Sequence, residues 1–357
     1  MKLPTDKVNQ LRAFYDGRSV CVTGGAGFIG GHLCDALLSL GATISVIDDL
    51  SNSTLEHLSG LIELEPERVR FFHGSVLDDD ALASAVKGFQ TASECCKTVF
   101  HLAALGSVPQ SVREPQRTWS VNATGTLRVL EAARTGGNPR SINKSGAKAE
   151  RVVSISSSSV FGNHPQMPKT EDQLLQPVSP YAASKAAGEH LAASYAACYG
   201  ISTVSLRFFN VFGPRQSAES TYAAVIPAMT KRLLDGEAPL IFGDGAQTRD
   251  FTFVSNAVLA MLLAGATTNQ LTGQALNIGA GQRISVNQLA TTLAKLCERE
   301  GVRPIYEPER AADVKHSYAD TSLARQLIGY EPVTSLESGL AETVEWFKRM
   351  MAGRGGG

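Results

Sequence analysis

At 357 residues with 43% hydrophobic side chains, the chain can fill one or two buried cores, so a globular α/β protein is the natural expectation. Its formal net charge of -1 comes from interspersed acids and bases, which excludes a basic track for nucleic acid or an anionic membrane surface. The sequence opens without a signal-peptide core and no apolar run reaches about eighteen residues, so the reading is a cytoplasmic protein that contacts no membrane.

The first β-rich run, Ser19 to Thr23, leads into Gly24-Gly25-Ala26-Gly27-Phe28-Ile29-Gly30 and then a helical face of Leu33, Leu37, Leu38 and Leu40 that stops at Gly41. In this context Gly24 permits a tight turn, Gly27 lets the backbone approach a pyrophosphate, and Gly30 allows helix and strand to pack closely. The helix start adds unpaired N–H groups and a positive dipole end. The next strand, Thr43 to Asp48, ends in Asp48-Asp49, spaced for a carboxylate on the adenosine ribose; a 2′-phosphate is repelled there, which favours NAD over NADP. The bland readings are an ordinary turn for the glycines and a solvated turn acid for Asp48, with Asp49 the second candidate.

Further strands are predicted over Val69 to His73, Thr98 to Leu102, Arg151 to Ser156 and Thr203 to Phe208, with helices over Pro115 to about Arg134 and Tyr181 to about Tyr199. The alternation predicts an α/β fold with a Rossmann-type doubly wound parallel sheet. From Arg207 onward glycines punctuate shorter elements. The expected organisation is a dinucleotide-binding domain over 1–206, a smaller, discontinuous α/β substrate domain over 207–350 whose chain returns in part to the first, and a flexible tail over 351–357. The polar segment Gly136 to Glu150 reads as a surface loop without a functional role. Six cysteines show no CxxC pair and no histidines at zinc spacing, so free thiols and no metal site are expected.

Tyr181 and Lys185 stand four residues apart, on one face of the predicted helix. A lysine ammonium favours the phenolate of a tyrosine that otherwise titrates near ~10, so the pair suits proton abstraction from a secondary alcohol. Taken alone, the spacing is common in amphipathic helices where tyrosine packs and lysine is solvated. The strand ending at Ile155, however, runs into Ser156-Ser157-Ser158-Ser159-Val160-Phe161-Gly162, and such strand ends face the cofactor crevice.

With TGGAGFIG, HLAA at His101 to Ala104, SSSSVFG, YAASK, RFFNVFGP from Arg207, TRDF from Thr248 and RAADVKHSYAD from Arg310 in this order, the sequence resembles the extended short-chain dehydrogenase/reductase family, in its nucleotide-sugar epimerase and dehydratase branch, from about Ser19 to Trp346. The resemblance implies tightly held NAD, with Phe28, Ile29, Ser75, Val76, Leu102, Ala103, Ala104 and Phe208 joining the glycines, Asp48, Tyr181 and Lys185 around it. Ser75 stands where the family often has an acid that contacts adenine.

The resemblance selects Ser157 as the partner of Tyr181. Dehydratases and decarboxylases of the branch carry acids where this chain has Ser158 and Ser159, which leaves simple C4 epimerisation of a UDP-hexose. For the substrate it implies Ser107, Ser157, Ser158, Ser159, Asn210, Val225, Arg249, Arg310, Asp313 and Ser317, the arginines on the diphosphate; singly, each arginine is as readily a surface ion pair. Asn210 argues against UDP-glucuronate, and the small Ser317 leaves room for a 2-acetamido group. LGSVPQSV from Leu105, SSSSVFGNHP and AAVIP at Ala223 to Pro227 resemble the bacterial UDP-N-acetylglucosamine 4-epimerases. A homodimer joined through the Pro115 to Arg134 and Tyr181 to Tyr199 helices is the family expectation. The alternatives are a UDP-glucuronate 4-epimerase or decarboxylase, and a non-enzymatic NAD-sensing protein.

Overall fold

Alternate residues of the first strand enter two different cores: Val20 and Val22 pack on one side and Cys21 on the other, all fully buried. A strand apolar on both faces demands cover on both, which parallel crossover connections supply. In a computed structural model, which describes residues 5–89, 95–137, 148–218, 224–309 and 314–354, seven such strands form one sheet. They are β1 (Ser19–Thr23), β2 (Thr43–Asp48), β3 (Val69–His73), β4 (Thr98–His101), β5 (Arg151–Ser157), β6 (Ser202–Phe208) and β7 (Thr272–Ile278). Their order is β7-β6-β5-β4-β1-β2-β3 and every pairing is parallel. The winding reverses between β1 and β4, and this switch point opens a crevice at the carboxyl ends of the strands.

β1 to β3 have the predicted bounds, and β4 to β6 differ by a residue at one end. The sequence pattern missed β7. It lies beyond residue 207 and pairs in parallel with β6 at the edge of the same sheet. A Gly273 at φ 95 and exposed or half-exposed residues in the first half of this edge strand hide its apolar run.

On one face lie α1 (Thr5–Tyr15), α2 (Phe28–Ser39) and, later in the chain, Val254–Ala266, whose Leu262 carbonyl accepts a hydrogen bond from the buried Tyr15 hydroxyl at 2.8 Å. α2 buries Leu33 and Leu37 completely, each contributing about 1.5–3 kcal/mol, and the chain leaves it through Gly41 at φ 96. The other face is covered by α3 (Gly125–Thr135) and α4 (Pro180–Tyr199).

Signals at both ends define α4. The Ser179 hydroxyl accepts from the Ala182 N–H at 3.1 Å, Pro180 takes the first turn where no N–H is needed, and Gly200 ends the helix in a left-handed conformation. The predicted Pro115 to Arg134 helix is instead Pro115–Trp119, one wide π-type turn at Ser120–Thr124, and α3. The wide turn has a reason in the site described below. The last helix, Leu336–Arg354, runs into the segment expected to be a tail.

Beyond β6 the chain builds a small three-stranded sheet, in which Thr248–Arg249 lies between Ile284–Ser285 and His316–Ser317. Among the described residues no helix is long and apolar enough to cross a membrane.

Candidate active site

The glycine turn follows β1. Gly24 has φ 72, and a β-carbon there would stand 2.6 Å from the Ala103 nitrogen. At Gly30 it would meet the Gly24 carbonyl oxygen at 2.2 Å, so turn and helix approach as only glycine permits. At Gly27 the nearest atom, again the Gly24 carbonyl oxygen, would be 3.3 Å away, so packing within the protein opposes a β-carbon far less there.

A cavity of about 510 Å³ runs along the turn, lined by Gly24, Gly27, Phe28, Ile29 and Gly30, by Asp48 and Asp49, by Ser75 and Val76, and by Leu102, Ala103 and Ala104. Sequence reasoning had not marked its Ser51, Asn52 and Ser53 or its Arg117, Ser120 and Val121. The latter group belongs to the interrupted helix and is brought here by the fold alone. Backbone cradle, helix start and acid together fit a dinucleotide.

Asp48 staples this end of the cavity. One carboxylate oxygen accepts from the Ala26 N–H at 3.0 Å, the other from the Leu50 N–H at 2.9 Å and the Ser53 hydroxyl at 3.0 Å. A carboxylate accepts about four hydrogen bonds, so one position is left for a ligand hydroxyl. Asp49 is exposed and accepts from the Ser51 N–H at 3.0 Å.

The wall of the cavity ends at Ile155, where the catalytic candidates meet. The Lys185 ammonium donates to the Ile155 carbonyl at 2.8 Å. Burial pulls its pKa down to about 8, and nearby Glu189 opposes the fall. Burial raises the Tyr181 phenol, while a hydrogen bond with Ser157 lowers it. Ser157 accepts from the Ser159 N–H at 3.2 Å and from the Ser159 hydroxyl at 2.8 Å. With both lone pairs engaged, its own proton is directed away from the turn, toward Tyr181. Ser158 is half-buried in the same turn.

Asn122, also missed from the sequence, explains the wide helical turn. Its side-chain oxygen accepts from the Leu105 N–H at 2.8 Å, and its amide donates to the Leu105 carbonyl and the Ser184 hydroxyl, each at 3.1 Å. The π-type turn thus aims a buried amide between the loop after β4 and the helix that carries Tyr181 and Lys185.

His101 closes the same layer. It bridges the hydroxyls of Thr23 at 2.8 Å and Thr126 at 2.9 Å, and burial holds it neutral with a pKa of about 3. Thr126 donates its own proton to the Asn122 carbonyl at 2.6 Å, so it accepts from Nε2–H and leaves Nδ1 to accept from Thr23.

The far side is built from the small sheet. Arg249 and Ser317 are register partners on parallel strands, with Ser317 buried and the Arg249 guanidinium donating to the carbonyls of Thr248 and Lys315 at 3.0 Å. Asn210, at φ 30, lies two residues beyond Phe208, whose partner on β5 is Ser157. Its amide donates to the Asp250 carbonyl at 2.8 Å.

Asp250, unmarked in the sequence, accepts from the Ala280, Gly281 and Ala319 N–H groups at 2.8, 3.0 and 3.1 Å. It thereby ties together the loops that carry Arg249 and Ser317. Burial pushes its pKa up to about 6 against these three donors. Val225 begins the Val225–Leu234 helix and is half-buried.

Phe208 is buried in the main core at the end of β6. Ser107 caps the Val108–Arg113 helix, its hydroxyl accepting from the Gln110 N–H at 3.1 Å. Arg310 and Asp313 lie outside the described residues.

The family model for GDP-mannose 4,6 dehydratase matches residues 21–343. The chain belongs to this family of extended short-chain dehydrogenases/reductases. A UDP-glucose 4-epimerase of Mycolicibacterium smegmatis is 36% identical over 328 residues, covering 92% of this chain and 97% of that protein. Among solved structures, a UDP-N-acetylglucosamine 4-epimerase from Methanobrevibacter ruminantium, in complex with UDP-N-acetylmuramic acid, is similar with a TM-score of 0.83 and 36% identity. The match covers 94% of this chain and 100% of that one. A UDP-glucuronic acid 4-epimerase from Bacillus cereus, solved with NAD and UDP-4-deoxy-4-fluoro-glucuronic acid, has a TM-score of 0.81 and 30% identity, covering 93% of this chain and 99% of that one.

Proposed function

We propose that the chain is an NAD-dependent UDP-sugar 4-epimerase that accepts N-acetylated hexoses. The observation that carries the epimerase reading is the catalytic turn itself: Ser158 and Ser159 supply hydroxyls only, and Ser159 is engaged with Ser157. Elimination of water or loss of carbon dioxide needs an acid or base at that place, and none is provided.

The cofactor is NAD, which the glycine turn, the Asp48 position left for a ribose hydroxyl and the Lys185 ammonium would hold. When bound, it accepts the C4 hydride of the sugar and gives it back. Tyr181 takes the O4 proton, helped by the Lys185 charge and by the Ser157 proton that the turn directs toward it. The same groups return the proton after the 4-keto sugar has turned over. Arg249, with Arg310, suits a diphosphate that holds the nucleotide while the sugar turns. Ser317 next to Arg249 leaves space for a 2-acetamido group, and Asn210 weighs against the glucuronate alternative.

A homodimer is part of the proposal: Trp119 and Tyr199 leave large apolar surfaces exposed on the two helices expected to meet. Light scattering should give twice the chain mass, and a monomer at micromolar concentration refutes the pairing.

The test of the reading is incubation with UDP-GlcNAc, UDP-Glc and UDP-GlcA separately, without added NAD, following the anomeric protons by NMR. A C4 epimer of the acetamido sugar is expected. No epimer from either hexose sinks the proposal, and turnover of UDP-GlcA alone assigns the glucuronate reading.

A further inference from the structure

Three successive residues of β5 meet three successive turns of α4. Ser157 bonds Tyr181, the Ile155 carbonyl takes the Lys185 ammonium, and between them the Ser156 hydroxyl donates to Glu189 at 2.5 Å. Tyr181, Lys185 and Glu189 follow one another at intervals of four, so they form one stripe along the helix.

Glu189 is 6% exposed and its partner Arg207 is 5% exposed. Arg207 grips the carboxylate with Nε at 2.9 Å and Nη2 at 2.8 Å, and its guanidinium carbon lies 4.8 Å from the Phe161 ring centre. It stands on β6 as the register partner of Ser156. A buried ion pair is expensive, and well-packed apolar residues serve stability as well or better. Its location one helical turn behind the lysine points to a role other than stability.

We propose that Glu189, held by Arg207 and Ser156 one helical turn from Lys185, is a positioning residue whose charge favours the ammonium form of the lysine that Ile155 seats on β5. The carboxylate is the anion whose charge acts on Lys185; the other groups there are the neutral His101 from β4, the Tyr181 phenol on the same helix, and Arg207, which is paired with the carboxylate. A nicotinamide that carries positive charge makes the lysine still harder to protonate, so a nearby anion is needed most when the cofactor is oxidised. The catalytic meaning rests on the epimerase reading above, but the lysine can be titrated without substrate.

The test is to label lysine with ¹³C and ¹⁵N, assign the Lys185 signal with Lys185→Arg, and follow its side-chain shift with pH in the wild type and in Glu189→Gln. The wild-type midpoint should fall near about 8. In Glu189→Gln it should lie lower by about one pH unit, and Glu189→Asp, which keeps the charge, should restore most of the difference. The double variant Glu189→Met with Arg207→Met replaces the pair with apolar volume and should shift the midpoint in the same direction but by less, because the guanidinium that Glu189→Gln leaves unpaired is removed with the carboxylate.

An unchanged Lys185 midpoint in either folded variant overturns the proposal. In turnover, the alkaline limb of kcat should move down with the midpoint, giving about tenfold lower activity above it and near wild-type activity below it. A uniform loss at every pH, with the limb in place, assigns Glu189 to structure alone. A wild type that turns over no UDP-hexose refutes the functional reading, while the titration still decides this one.

Discussion

Gly30→Ala and Gly27→Ala should separate packing from ligand contact within one turn. At position 30 the new β-carbon must move from 2.2 Å to at least the 3.0 Å below which such contacts are not found, and the atom it meets is the backbone oxygen of Gly24. A backbone cannot rotate aside as a side chain does, so α2 and the turn must part by about 0.8 Å. Overpacking of this kind costs about 1–3 kcal/mol, which for a chain of this length lowers Tm by roughly 1–4 °C.

The same displacement widens the cradle, so co-purified NAD should fall as well. At position 27 the same oxygen lies at 3.3 Å and need give by only a few tenths of an ångström, so Tm without cofactor should fall less than for Gly30→Ala while NAD content drops sharply. Calorimetry of cofactor-stripped protein and cofactor release by acid precipitation give the two readouts. A Gly30→Ala protein that melts with the wild type and keeps its NAD refutes the reasoning, as does a Gly27→Ala protein that loses stability and retains cofactor.

Tyr181→Phe should abolish turnover, by more than about a thousandfold, with NAD still bound; measurable epimerisation at near wild-type rate removes the proposed base. Ser317→Tyr should suppress turnover of the acetamido sugar while sparing UDP-glucose, and equal losses on both count against an acetyl pocket beside Arg249. Asp250→Ala leaves three buried N–H groups without their acceptor, which should cost about 3 kcal/mol or more and raise KM as the Arg249 and Ser317 loops loosen. An unaltered melting curve contradicts that account.

Much of the site was legible because its chemistry is local. Gly24 to Gly30 follows its strand directly, Asp48 ends the next one, and Tyr181 and Lys185 share a helix face, so spacing alone brings them to the crevice. What sequence spacing could not carry were the residues whose partners are remote. Asn122 reaches back to Leu105 and forward to Ser184, Asp250 collects donors from two distant loops, and Glu189 is defined by Arg207 on another strand.

Each of these is a buried polar group, and in a sequence a buried asparagine or glutamate looks like a solvated one. The seventh strand escaped notice because a sheet edge exposes its first residues.

The central claim is that one bound NAD takes and returns a single hydrogen at C4 under the control of Tyr181, Lys185 and Ser157. Turnover of UDP-GlcNAc carrying deuterium at C4, with no added cofactor, tests it most directly. Full retention of deuterium at C4 in the epimer, with no 4-keto-6-deoxy product, is the predicted result. Loss of the label to solvent, or accumulation of a dehydrated sugar, would contradict it.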